Sequence, residues 1–545
     1  MKTIALENDR KTDFLNDRYI WILLIISLSV RIYLSFFTYV IENDSVAFMQ
    51  NAKFFVDGDF QSGLRHDYHP LYSFIMAVLY KVIPNMELSG TIISVFFGTL
   101  TVIVFYLIGK GIFDQKISFV SSIILAFHPY AVRFSADIIS ESTYFFLFIS
   151  ALGLGFFAIT KKKFSLFALT GICAAFAYLT RPEGIGILFI VAGWYLLNDL
   201  AKIKVVWKEK VISILVLIVS FLVFSLPYLV FIKKETGYWH LTMKKSLSQM
   251  IGVKETLSGQ ENVEPVEDNV DWEKSSDANI SKQTSASRTD LSTHLKSILY
   301  IMKKYLDTLH PLLFIFLIIG VVNWTRIKKE RFFGLYIASI IVVYLFILYR
   351  LNIMHIPSYG DIYQYPSRRH LMPLVIPALF CAGIGVHTAG TWMHEKFQHN
   401  SLTVGFKELL RSTWIMQLIV LMIVVSALLP KTLKPQRFDK LGIKKVGQWI
   451  KENSNKPYPA ILSVSARNAY YAKGRHIQMG SINDALVMAR ERKVDYIFIS
   501  HREYKAIEEE LQQSINDKEI TLAHKCPEKK ALDRRSILLY KVLQQ

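Results

Sequence analysis

Cysteine is nearly missing from this chain. Three occur in 545 residues, Cys173, Cys381 and Cys526. The first two lie in apolar runs and the third stands alone, so no disulfide framework is implied. No internal repeat of useful period is visible. Residues 431–545 hold neither a catalytic cluster nor a phosphate-binding glycine loop, so support or substrate capture is expected of them rather than chemistry. No small-residue cleavage site follows the first apolar run, Tyr19 to Val40, which is too long for a signal-peptide core and is read as retained.

What is abundant is apolar surface. Hydrophobic residues make up 52% of the chain and aromatic residues 13%, more than one soluble core could hide. A membrane must supply the solvent. Runs of mostly apolar residues recur between Tyr19 and Pro430, and a helix needs roughly 20 such residues to cross the hydrocarbon core. The net charge of +19 is dispersed among short loops rather than gathered in one stripe, which speaks against a nucleic-acid partner. Topology accounts for it instead. The clusters Arg10/Lys11/Arg18, Lys161/Lys162/Lys163, Lys202/Lys204/Lys208/Lys210 and Arg326/Lys328/Lys329/Arg331 all fall on the cytoplasmic side if the amino terminus is inside.

Applied along the chain, that rule predicts an α-helical polytopic membrane protein with about 11 transmembrane helices. They run over residues 19–40, 90–112, 117–132, 141–159, 164–180, 183–198, 211–232, 308–324, 332–350, 369–392 and 413–430. Residues 1–18 form a cytoplasmic tail, residues 19–430 the transmembrane domain, and residues 431–545 a small extracytoplasmic α/β domain. Within the transmembrane domain, residues 41–89 are expected as the first outer loop, with a juxtamembrane helix between Pro70 and Pro84. The polar stretch 252–292 is expected to be a disordered insertion. In the last domain, helical patterns over 441–452, 483–491 and 502–512 alternate with strand-like runs beginning at residues 461, 495 and 536.

Ionisable residues at membrane depth or in tight outer loops are costly to place, which makes them functional candidates. Asp44, with Glu42, stands where the first span ends; a partly dehydrated carboxylate there can act as a general base or ligate a divalent metal, and a solvated loop acid is the alternative. His66, Asp67 and His69 suit metal coordination or substrate hydrogen bonding, or are interfacial polar groups. Arg133, Asp137 and Glu141 fall in the short loop between the third and fourth spans, where an arginine could hold a phosphate; helix capping by Ser140 is the bland alternative. Arg181, Arg368, Arg369 and His370 lie at other outer helix ends, against the positive-inside bias; anion binding or snorkelling to lipid phosphates would explain them. Under one topology the four groups share a side of the membrane.

These residues carry a resemblance. The chain resembles the GT-C membrane glycosyltransferases of the protein O-mannosyltransferase and aminoarabinose transferase superfamily. It does so through Asp44 with Phe48, Ala52 and Gly58; through His69-Pro70-Leu71-Tyr72; through Pro129, Arg133 and Glu141; through the LTRPEG stretch from Leu179 to Gly184; and through Arg369-His370-Leu371-Met372-Pro373. It departs from the family at Ser45, which replaces the second acid of the usual pair, and at His240, which only loosely matches the family's metal ligand, so the metal site is left unassigned. Glu42 has no counterpart in the pattern.

The resemblance implies an inverting glycosyltransferase. It would move a monosaccharide from a polyprenyl-phosphate-linked donor to a glycan, lipid or protein acceptor at the outer face of the cytoplasmic membrane. Asp44 would be the base, and Glu141 would shape the site or hold a divalent metal ion. Arg133, Arg181 and Arg369 would neutralise the phosphate, and His66, Asp67, His69 and Arg368 would also bind substrate. A secondary transporter or flippase of a lipid-linked or anionic substrate is the rival, although the repeated halves common in transporters are not seen.

Overall fold

The structure is a computed structural model. It describes residues 16–197, 206–243, 291–324, 331–359, 366–398, 412–479, 486–487, 489, 494–527, 533 and 535–543. The expected disordered insertion and cytoplasmic tail lie almost wholly outside these residues. The described chain divides into two compact units. One comprises the residues up to 35, 51–243 and 291–434; the other comprises 36–50 and the residues from 435 onward.

The first unit is helical. Among the described residues, seven helices are long and apolar enough to cross a membrane: Arg18–Phe36, Met86–Ile112, Glu141–Lys161, Trp207–Thr236, Arg331–Ile353, Arg368–Phe397 and Thr413–Thr432. Two bent pairs raise the number to as many as nine, and Leu71–Tyr80, Phe164–Thr180 and Pro182–Leu196 are shorter apolar helices. The count of 11 is therefore not fixed by length and composition alone.

The bent pairs correct two of the expected spans. Residues 117–132 are not one rod: Gln115–Ala126 and Pro129–Ser135 meet at 59°. Proline removes a helical N–H donor and drives the preceding residue out of the helical region. His128 accordingly takes extended dihedrals, and its side chain caps the second segment by accepting from the Ala131 N–H. Before the expected 308–324 span there is a further helix, Leu291–Leu309, turned by 95° against Pro311–Trp324. At this break His310, ahead of Pro311, takes a left-handed conformation with φ 84° instead of the extended one seen at His128.

Core packing depends on close approach. Gly320 and Gly385 sit on the facing helices Pro311–Trp324 and Arg368–Gln398; a Cβ on the first would overlap the Cys381 carbonyl, and one on the second the Phe316 carbonyl. Without interhelical hydrophobic driving force in lipid, backbone proximity of this kind is what holds helices together. Phe105 stacks on Phe380 at 3.8 Å between centroids.

Among the described residues the second unit contains five strands: β1 (Ala460–Ser463), β2 (Arg475–Gln478), β3 (Tyr496–Ser500), β4 (Ile520–Cys526) and β5 (Ile537–Val542). They lie in the order β2-β1-β3-β5-β4. β1 pairs parallel with β2 and β3, whereas β5 is antiparallel to both β3 and β4. On one face the helix Leu441–Asn453 buries Ile443, Val446 and Ile450 against Ile461, Phe498 and Leu539. The pattern expected over 502–512 is realised as two helices, His501–Ala506 and Glu508–Asn516. The expected 483–491 helix lies mostly outside the described residues.

Candidate active site

Within the first unit, charge gathers around Glu141. This residue opens the Glu141–Lys161 helix and is only 2% exposed. Ser140 precedes it without a side-chain capping bond, so capping does not explain the acid. Arg181 donates to Glu141 from Nη1 at 2.9 Å and to Glu183 from Nη2 at 3.2 Å. Arg369 Nη1 lies 3.8 Å from the same Glu141 oxygen. Arg181 ends the Phe164–Thr180 helix, and Pro182 begins the next turn, so the Arg-Pro-Glu sequence turns both ionic side chains into one place. Burial works against the Arg181 charge, yet Glu183 and Glu141 hold its pKa above the ordinary arginine value. Its guanidinium also lies 5.7 Å from the centre of the Tyr144 ring.

His69 adds a neutral acceptor. Its Nδ1 is 2.5 Å from the Tyr178 carbonyl. A carbonyl can only accept, so Nδ1 carries the proton and Nε2 presents a lone pair. The Tyr178 carbonyl is one of the last in its helix, which lack an intrahelical donor. Burial lowers the His69 pKa to about 4. The rings of Tyr178 and Tyr228 stand edge-on to the imidazole at 5.0 and 5.2 Å. His69 Nε2, Tyr228 Oη, Tyr144 Oη and Glu183 Oε2 are all buried with no protein partner. Buried polar atoms left in this state cost free energy unless a ligand or water meets them.

A second ionic group lies in the same unit. Arg368 donates to Asp307 Oδ2 from Nε at 2.9 Å and Nη2 at 2.7 Å, and Lys431 Nζ is 3.4 Å from Oδ1. Both cations also face Tyr130, at 5.1 and 4.8 Å from its ring centre. Two cations meet one carboxylate, leaving positive charge over.

The structure thus brings Glu141, Arg181 and Arg369 together and places Arg368 in the second group. Arg133 lies in the Pro129–Ser135 helix, which also carries Tyr130, and donates to the Lys434 carbonyl at 3.4 Å. His66 stacks on Tyr68 and Asp67 is exposed, so neither shares the burial of His69. Asp137 is buried. Glu183, Tyr144, Tyr228, Tyr130, Asp307 and Lys431 were not singled out from sequence. Glu183 alone had a local signal, its place in LTRPEG.

Asp44 belongs to the second unit. It lies in the first turn of the helix Asn43–Val56 and is half-buried. Ser45 beside it is buried, with its hydroxyl unpartnered. Among the described residues no three His, Cys, Asp or Glu side chains form a group that could hold a metal ion. The described residues therefore do not offer a ligand set by themselves, and no step below is routed through a metal.

Residues 67–230 match the family model of dolichyl-phosphate-mannose-protein mannosyltransferases. Among curated proteins no sequence matches. The chain is similar in structure to ArnT from Cupriavidus metallidurans bound to undecaprenyl phosphate, at 10% identity over 96% of this chain and 97% of that one, with a TM-score of 0.56. It is also similar to the archaeal oligosaccharyltransferase AglB from Archaeoglobus fulgidus, in complex with an inhibitory peptide and a dolichol phosphate, at 11% identity over 90% of this chain and 70% of that one, with a TM-score of 0.55. A further AglB structure, a complex with zinc and sulfate, matches at 13% identity over 88% and 68% of the two chains, with a TM-score of 0.52. The chain is thus a multi-pass helical protein with the GT-C fold of polyprenyl-phosphate-dependent glycosyltransferases, and residues 67–230 carry the sequence pattern of the mannosyltransferase family.

Proposed function

We propose that the protein is an inverting glycosyltransferase that moves a monosaccharide from a polyprenyl phosphate to an acceptor hydroxyl at the outer face of the cytoplasmic membrane. The observation that carries this reading is the GT-C fold over nearly the whole chain, in a sequence that keeps an acid, Asp44, in the helix following the first span.

In the reaction Asp44 takes the proton of the acceptor hydroxyl, whose oxygen attacks the sugar C1 from the face opposite the phosphate. The C1–O bond breaks, its electron pair leaves with the phosphate, and the anomeric configuration inverts. Charge develops on the departing phosphate and calls for fixed cations. Arg181 already has its charge met by Glu141 and Glu183, so its role is to hold that cluster in shape. Arg369, at the edge of the cluster, and Arg368 with Lys431, which have positive charge over, are the groups for the phosphate. His69 Nε2, kept neutral by burial, accepts from a sugar hydroxyl. Divalent-metal dependence, and the choice among protein, glycolipid and cell-wall glycan acceptors, are decided by assay with and without chelator and by mass spectrometry of surface glycans from cells with and without the gene.

Release of polyprenyl phosphate from labelled donor in membranes tests the reading. Asp44→Asn keeps size and hydrogen bonding but removes the basic carboxylate, and general-base contributions are about a hundred to ten thousandfold. Normal turnover by a folded Asp44→Asn protein would overturn the assignment and favour transport. Reporters fused after Ser89 and at the carboxyl terminus should both read outside; a cytoplasmic signal at the carboxyl terminus defeats the sidedness.

A further inference from the structure

The segment 37–49 connects the first span to the helix that carries Asp44, and it is held along its length by residues that follow the last span. The Gln436 N–H donates to the Phe37 carbonyl at 2.9 Å, and the Tyr39 N–H to the Gln436 carbonyl at 3.2 Å, forming a one-residue parallel bridge. Arg437, whose side chain is 10% exposed, donates from Nε to the Val40 carbonyl and from Nη1 to Glu42 Oε1 at 2.6 Å. The Tyr471 hydroxyl accepts from the Ile41 N–H at 3.0 Å, and Arg467 Nη1 donates to the Ile41 carbonyl at 3.4 Å. Ser465 Oγ lies 2.6 Å from Asn43 Oδ1. Two residues before Asp44, one residue before it and five residues after it, at Met49 against Tyr470, the segment is fixed by the same small domain.

Two features show that this is more than the tidying of a loop. Ser465 stands at the N-cap of the helix Ala466–Tyr471, the position where serine ordinarily accepts from the helix's own N–H groups, yet it makes no capping bond. Its hydroxyl is turned to Asn43 instead. Ser465 also follows β1, whose parallel neighbours β2 and β3 lie on opposite sides, and in open sheets the crevice beyond the carboxyl ends of strands at such a reversal is where ligands bind. In this domain Asn43 of the chain itself meets the residue at that edge.

We infer that the carboxyl-terminal domain is a positioning clamp for Asp44, and that Arg437, Arg467 and Tyr471 act on the reaction through that residue. The inference rests on the assignment of Asp44 as the base. Glu42, which matches nothing in the family pattern, becomes the anchor that Arg437 grips. A displacement of about 1 Å at a reacting group can cost on the order of a hundredfold in rate. The clamp therefore acts on kcat, while the donor's phosphate is bound elsewhere in the chain.

The test uses the full-length protein in membranes, with polyprenyl phosphate release as readout and with detergent size-exclusion and thermal unfolding to confirm the fold. Arg437→Gln and Glu42→Gln should each lower kcat by about ten to a hundredfold, with donor KM within about twofold. The double variant should lose no more than the worse single one, because both remove the same contact. In an Asp44→Asn background Arg437→Gln should have no further effect, an outcome that general loosening of the fold would not give. Should Arg437→Gln fail to accumulate, Tyr471→Phe carries the test: it removes one hydroxyl and should lower kcat severalfold with KM unmoved. Wild-type kcat in these folded variants, with Asp44→Asn inactive, overturns the clamp and leaves the base assignment standing. An active Asp44→Asn overturns the base assignment itself.

Discussion

Glu141 and Asp44 each lie in the first turn of a helix, yet their surroundings differ. Glu141 is 2% exposed and its carboxylate is engaged by Arg181 and Arg369. Asp44 is half-buried, and its neighbours Glu42 and Asn43 are bonded to Arg437 and Ser465. Charge-assisted bonds to a buried arginine fix a carboxylate in place. On the proposed reading the deeply buried acid holds its cluster in shape, and Asp44 takes the proton.

The comparison breaks most sharply in kinetics. Asp44→Asn should abolish nearly all turnover while leaving thermal unfolding in detergent close to wild type. Glu141→Gln should show the reverse balance, with a larger fall in unfolding temperature than Asp44→Asn and residual turnover well above it. If Glu141→Gln is the dead variant and stable, the roles are exchanged.

Arg181→Met strands two acids at once. Removing one partner of a buried pair typically costs about 3–5 kcal/mol, so this variant should unfold at a clearly lower temperature or fail to accumulate. Arg181→Lys, which keeps the charge but not the fork between Glu141 and Glu183, should fall between it and wild type.

His69 extends the contrast to pH. Its pKa in the fold, about 4, lies below the ordinary value for histidine near 6.5. Between those values the unfolded chain binds the proton and the folded one does not. The stability it contributes is therefore full above about pH 6.5 and is lost as pH falls toward 4. Unfolding temperatures of His69→Gln should decline less over that window than those of wild type, and equal slopes would show that His69 is not buried neutral.

The smallest effect is expected at the pair Arg65–Glu235, 2.6 Å apart, with the arginine side chain 57% and the glutamate side chain 17% exposed. Surface pairs contribute about 0–1 kcal/mol, so Arg65→Ala should leave both unfolding temperature and turnover nearly unchanged. A large loss there would mean that ionic contacts in this protein are not ranked by burial.

Much of this was written in local patterns. Apolar runs located the helices because a membrane leaves backbone groups no partner but their own helix. The runs beginning at 461, 495 and 536 marked β1, β3 and β5, whereas β2 and β4 went unseen. Arg475–Gln478 contains one apolar residue, and Ile520–Cys526 is mostly half-exposed, so neither makes a run. The bends before Pro129 and Pro311 were foreseeable from proline chemistry but were hidden within apolar stretches read as continuous.

The chain's order of residues by itself determined that the protein lives in a membrane, singled out some of the acids and cations that are costly to place there, and showed which family they resemble. Only tertiary structure decided which of them meet. Arg181 reaches Glu141 across 40 residues and Arg437 reaches Glu42 across 395. An ion pair leaves no trace in the sequence between its partners, because its energy depends on distance and burial in space, and those are set by how the helices and the sheet close around them.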